Sequence, residues 1–385
     1  MSLRPLVAFA LAGCAGVDTY TLAPWIEHVP APVCATDPAV GSACGPGVAA
    51  TAAGADYATL ADALAGAPAG ATVSVCPGEH PGPFEVVGRE LVAYAPAAGA
   101  TILSGGGAPG PVLTLEDATA WGLTVEGGGE PLPSEESVRG AVFAQGTAPV
   151  AVTCGTIRDN RGGAVAADAP LRLHGTVVGD NTHPWSTAGV FASGGLDLQH
   201  STLRVDGSYA VARDGLLIAD STLSPASAEF DDPLLAVSRG VEVPVLRTRF
   251  EGGPLAQGLE VYDPEHVFVD GSTFDGLDVG VMVWAGPALR VTVLDSEFTD
   301  SGVALAAAVP IDGDRVTDLW NPEDPQPLVI AARGTSFVGH DSVFGAVAVT
   351  SNAVFDCDDC TFEDNAPCDF ARAGVCEDVA PAFFW

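Results

Sequence analysis

Lysine is absent from this chain of 385 residues: the 15 basic positions are all arginine, and 49 residues are acidic, giving a formal net charge of −34. So one-sided a field argues against binding nucleic acid or an anionic lipid surface through the protein itself. Charged residues of either sign make up only 17% of the chain, which with its many Gly and Pro is poor for helix bundles. Beyond the N-terminus no apolar run approaches the ~18 residues that a membrane-spanning helix needs. The seven histidines are scattered singly, and there is no Ser-His-Asp pattern, glycine-rich phosphate loop or metal-type histidine cluster. What the chain has instead is 46 Gly, 30 Pro and 48% apolar residues, a composition suited to many short strands joined by tight turns.

The first residues read as an export signal. Arg4 precedes a short apolar run, Leu6 to Ala12, too brief to span a bilayer. It ends in Leu11-Ala12-Gly13-Cys14, which resembles the bacterial lipobox. The resemblance implies that Cys14 carries the lipid and becomes the first mature residue. Ala15 in place of Asp implies an outer-membrane or cell-surface destination. The other reading is an ordinary secretory signal with a chance cysteine.

Eight further cysteines remain, an even number that suits an oxidising compartment. Cys34 and Cys44 lie in a Pro-rich stretch and are expected to staple it locally. Cys357 and Cys360 form a C-x-x-C, followed by Cys368 and Cys376. Disulfides are the leading reading for these six; a redox pair or half a zinc site is the alternative for the C-x-x-C.

Residues 15–55 lack periodicity and are expected to form a Pro/Ala/Gly-rich tether. Asp56 then reads as the N-cap of a short helix with Tyr57, Leu60, Ala61 and Leu64 on one face and Gly66 as its stop. An alternating stretch, Gly70 to Gly78, follows. This opening looks like that of many right-handed β-helix domains, in which the helix covers the apolar end of the first coil.

From there a phrase recurs: a small polar residue, then a large apolar one, then Asp, Gly or Asn. It appears as Gly155-Thr156-Ile157, Gly175-Thr176-Val177, Ser201-Thr202-Leu203, Ser221-Thr222-Leu223 and Thr248-Arg249-Phe250, then around Phe274, Phe298, Phe337 and Phe362. The period is about 20–27 residues, with one longer step, matching one coil of a three-strand solenoid. Leu223, Phe250, Phe274, Phe298, Phe337 and Phe362 are expected to stack as one interior ladder. The fold class is therefore all-β, a right-handed single-stranded parallel β-helix with a short N-terminal capping helix. It spans residues 56–366, after a signal (1–13) and tether (14–55) and before a C-terminal cap (367–385). In that register Cys76 and Cys154 lie three coils apart, roughly 14 Å, too far to bond to each other, since a disulfide needs Cα atoms within about 7 Å.

Ile157-Arg158-Asp159-Asn160 before Gly162-Gly163-Ala164-Val165, and Phe362-Glu363-Asp364-Asn365, resemble the repeat of polymorphic outer-membrane proteins, a β-helix family that includes adhesins. Asn is expected to occupy the left-handed corner there. The coil pattern as a whole resembles the pectin-lyase-like superfold, and its lyases and polygalacturonases imply a carbohydrate substrate.

Insertions mark where function can sit on a rigid scaffold: residues 128–139, 182–187, 224–233 and 310–327. The last carries Asp312, Asp314 and Asp318, oxygen ligands suited to Ca²⁺, or simply a solvated acidic loop. Trp185, near His183, and Trp320, beside Asn321, are candidates for stacking on sugars, or for anchoring their own loops. Trp121 and Trp284 read as core. Asp231-Asp232 and His340-Asp341 are the nearest fragments to catalytic acids, without the context those enzymes need. The leading function is an exported cell-surface lipoprotein, a scaffold presenting loops to a polysaccharide or surface protein. The runner-up is a polysaccharide lyase or glycoside hydrolase.

Overall fold

The computed structural model describes residues 20, 22–34, 44–94, 101–129, 140–182, 189–205, 207–211, 215–238, 242–262, 264–284, 290–307, 311–312, 315–316, 329–341, 345–349, 354–372 and 375–377. Three sheets of 14, 12 and 13 strands, here A, B and C, run the length of a parallel β-solenoid. The chain visits A, then B, then C, and each strand pairs with its counterpart in the preceding and following coils. The twelve strands of sheet B number the coils. The first coil begins with Thr72–Val75, and the last holds Val354–Asp358, Thr361–Glu363 and Phe370–Arg372. The solenoid thus runs past residue 366.

Alternation fills the interior. Phe250, Phe274, Phe298, Phe337 and Phe362 stand in register on sheet B. Their rings stack with centroids 4.7, 4.7, 5.4 and 4.9 Å apart, and Leu223 precedes them. In one coil the inward residue is Val178, paired with Ile157 and Leu203, while Val177 faces solvent. The expected phrase was one residue early there. Gly175 makes the corner, Thr176 is the small buried residue, and period-two alternation then sends Val177 outward.

The corners explain the recurring phrase. Sheet A turns into sheet B through one left-handed residue, such as Cys154, Gly175, His200, Asp220, Arg247, Gly271 or Asp295. A buried Ser or Thr commonly follows, and its hydroxyl accepts from the backbone of the coil before: Thr176 N to Ser201 Oγ, Ser201 N to Ser221 Oγ, Thr248 N to Ser272 Oγ, and Ser272 N to Ser296 Oγ, each 3.1 Å. The B-to-C corner works the same way. Asp159, Asp180, Asp300 and Asp364 take the positive φ. The asparagines expected at that position sit one residue later; Asn160 and Asn181 are buried there, and Asn160 Nδ2 donates to Asn181 Oδ1 at 2.8 Å. Asp tolerates the left-handed conformation from an exposed corner. Asn is needed inside, where its donors satisfy the Val125 and Ile157 carbonyls.

A helix, α1 (Leu60–Gly66), closes the N-terminal end by burying Leu60, Ala63 and Leu64. Its N-cap is Thr59, whose hydroxyl accepts from Asp62 N. Asp56 instead lies in the strand Ala55–Tyr57, which forms an antiparallel hairpin with Ala50–Ala52 on the edge of sheet A. The hairpin pairs the edge that the helix leaves open.

The expected disulfide state of the C-terminal cysteines is met, with Cys357 joined to Cys360 and Cys368 to Cys376. The N-terminal pair does not close on itself. Cys34 bonds Cys154, and Cys44 bonds Cys76, so Cys76 and Cys154 are indeed not joined to each other. The described part of the expected tether is a strap on the outer face of sheet A. Tyr20, Leu22, Ala23, Trp25 and Ile26 pack on Leu217, Ala219, Leu246, Phe268 and Leu294. Gln199 receives Val29 N and donates to Glu27 O. Arg172 donates to Trp25 O, and its guanidinium lies 5.7 Å from that indole's centroid. Beneath the strap Asp197 is fully buried beside His174 and Gln199.

The corner residues of sheet A fit this strap one by one. Cys154 bonds it, and a Cβ on Gly175 would stand 2.6 Å from Pro32. His200 meets Val29 O, and Asp220 and Arg247 meet His28. Arg247 also clasps Asp220, and this hydrogen bond holds the Asp220 carboxyl below its usual range.

Candidate functional site

On sheet C, Leu235, Leu259, Val281 and Leu305 point into the core in register. Alternation therefore turns Ala236, Glu260, Met282 and Ala306 outward, and beyond them Ser238, Tyr262 and Trp284. Met282, Val279, Val303, Ala306, Ala348 and Trp284 form a second apolar cluster on this outer face. Trp284, expected in the core, belongs to this cluster and is half-buried.

At its centre is a carboxylate. Glu260 is 8% exposed, a placement that is costly for a charge unless it is hydrogen-bonded. Its Oε1 accepts from Tyr262 Oη at 2.6 Å and from Trp284 Nε1 at 2.7 Å. One carboxylate oxygen thus fixes two aromatic rings from successive coils. They lie parallel, 3° apart, with centroids separated by 6.0 Å. Tyr262 is 37% exposed. The result is a rigid stack of two aromatic rings at the solvent edge of an apolar sheet, with a carboxylate beneath it. A sugar ring has an apolar C–H face and a rim of hydroxyl donors, and this arrangement offers a complement to both.

The candidates expected from the sequence fall elsewhere or beyond description. Asp231 and Asp232 are exposed at the corner that leads into Pro233–Ser238. They enter sheet C at the end opposite Tyr262 and Trp284, roughly 20 Å away along the strand direction. Asp232 contributes its carbonyl to Gln257 N. His340 is fully buried just after the left-handed B-to-C corner residue Gly339, with Nδ1 3.0 Å from Ser301 O. It is not paired for chemistry with Asp341, which is exposed.

Trp185, Trp320, Asn321, Asp314, Asp318 and Cys14 lie outside the described residues, as does the side chain of Asp312, whose backbone pairs with Arg315. Among the described residues, no group of three or more His, Cys, Asp or Glu is placed to hold a metal ion. Three insertions leave the B-to-C corner. The fourth, with Trp320 and Asn321, links Ala307 of sheet C to Val329 of sheet A. That is the corner at which Trp284 ends its strand, one coil earlier.

No protein-family model and no curated protein matches the chain. Among solved structures, the periplasmic alginate epimerase AlgG is 12% identical, with a TM-score of 0.32, covering 76% of this chain and 85% of that one. The Streptococcus pneumoniae surface protein and adhesin PfbA is 10% identical, with a TM-score of 0.33, covering 76% and 89%. The A-module of the Azotobacter vinelandii mannuronan C-5 epimerase AlgE6 is 11% identical, with a TM-score of 0.25, covering 83% and 93%. The solenoid assignment itself rests on the strand register.

Proposed function

We propose that this chain is an exported surface protein, anchored through Cys14, that binds an uncharged glycan on the outer face of sheet C without chemical conversion. The stacked pair Tyr262 and Trp284, locked by Glu260, carries this reading. Outward aromatics on a sheet gain little for the fold, yet here a buried carboxylate is committed to fixing their orientation. The four disulfides support an oxidising destination. A net charge of −34 repels polyanions, which favours neutral chains over uronic acids.

Affinity electrophoresis through gels containing hydroxyethylcellulose, laminarin, mannan or alginate tests the proposal. Retardation is expected in at least one neutral gel and not in alginate. Tyr262→Ala with Trp284→Ala should weaken it by tenfold or more in protein whose far-UV circular dichroism still shows the folded solenoid. Retardation that survives the double substitution, or occurs only in alginate, would overturn the proposal.

A further inference from the structure

The strap has a direction. Tyr20 packs on Phe268 in the ninth coil, with ring centroids 4.9 Å apart and the planes tilted by 45°. Ala23 and Ile26 lie over Gly215 at the start of the seventh coil. Val29 engages Gln199 and His200 in the sixth. Pro32 sits on Gly175 in the fifth, and Cys34 is bonded to Cys154 in the fourth. Cys44 then reaches Cys76 at the end of the first coil's sheet A strand. The N-terminal segment therefore runs backward along the solenoid, opposite to the stacking of the coils, before the chain enters at the capped end.

Resting on the proposed anchor at Cys14, we infer that the bilayer holds this solenoid by its C-terminal third and that the helix-capped first coil is the end directed away. Tyr20 is six Cα steps beyond Cys14, a fully extended reach of about 21 Å. From the ninth coil, the last coil is about 14 Å away and the first about 38 Å, at strand spacing. The leash reaches past the last coil and falls well short of the first. A free tether from Cys14 to Ala50 would reach more than about 100 Å and impose no polarity. The strap abolishes that freedom by a covalent bond at Cys34 and an apolar seat at Tyr20 and Ile26. The acidic surface adds a repulsion from anionic headgroups that lifts the untethered end.

The test uses the lipidated full chain in phosphatidylethanolamine–phosphatidylglycerol vesicles bearing a headgroup nitroxide. A fluorescent non-natural residue is placed at Glu79, exposed in the first coil, or at Glu363, exposed in the last. Quenching at 363 should exceed that at 79 severalfold. Replacing residues 20–34 with a Gly/Ser segment of equal length should abolish the difference. Tyr20→Gly with Ile26→Gly, which keeps the disulfide and frees only the outer end, should reduce it. Quenching at 79 equal to or above that at 363 would overturn the polarity while leaving the anchor in place. A chain that does not associate with vesicles would overturn the anchor itself.

Discussion

Replacing Phe298 with alanine removes the middle rung of the interior ladder. Its side chain is wholly buried, with Phe274 at 4.7 Å on one side and Phe337 at 5.4 Å on the other. Truncating a buried Phe costs about 3–5 kcal/mol, and each lost ring pair adds about 0.5–1.5 kcal/mol. Collapse into the hole is limited. Glu297 and Thr299 are tied into the parallel ladder on both sides, and the backbone facing the ring from sheet C is Gly280, which has no side chain to move in. The expected loss is therefore about 5 kcal/mol. Phe362→Ala is the internal comparison, because that ring is only partly buried and has one stacked neighbour, at 4.9 Å; roughly half the loss is expected. Phe298→Leu should cost about 1–1.5 kcal/mol, since leucine already serves this ladder at Leu223. Urea unfolding followed by far-UV circular dichroism and tryptophan fluorescence measures all three. A loss below about 2 kcal/mol for Phe298→Ala, or equal losses at 298 and 362, would refute the ladder as the main source of coil-to-coil cohesion.

Burial pushes the His340 imidazole below its ordinary value of 6.5, with the Ser301 carbonyl pulling the other way. The folded form thus resists the proton that the unfolded chain accepts, and stability should fall as pH drops below about 6.5. His340→Asn puts there the residue that Asn365 supplies in the next coil; it should flatten that dependence in unfolding curves recorded between pH 7 and pH 5. Cys34→Ser with Cys154→Ser opens a link between residues 120 apart, against 32 for Cys44 and Cys76. A loss of about 2–4 kcal/mol is expected. Chymotrypsin should cut after Leu22 or Trp25 in that variant and not in the parent; equal resistance would show that the apolar seat alone holds the strap.

Much of the coil was legible because its causes are local. The phenylalanine spacing is an alternation repeated once per coil, so Phe250 to Phe362 could be placed without coordinates. Val177 was misplaced because Gly175-Thr176-Val177 imitates the phrase one residue early, and only pairing with Ile157 and Leu203 settles which residue faces in. The asparagines were recognised but assigned the corner's own conformation, since sequence cannot separate a left-handed residue from the buried one after it. Trp284 read as core, and nothing local singled out Tyr262. Both close a run in which every second residue is outward, at equal positions in consecutive coils, and that signal identifies a face without telling the core from its opposite.

Composition and period alone determined a three-sheet solenoid, since only stacked short coils bury so many alternating apolar residues between so many Gly and Pro turns. The tertiary structure decided everything that joins distant coils. It crossed the disulfides, because the N-terminal segment lies against sheet A and brings Cys34 to Cys154 rather than to Cys44. It turned a tether into a strap. It also placed Glu260 beneath two rings that are neighbours only because successive coils stack in register.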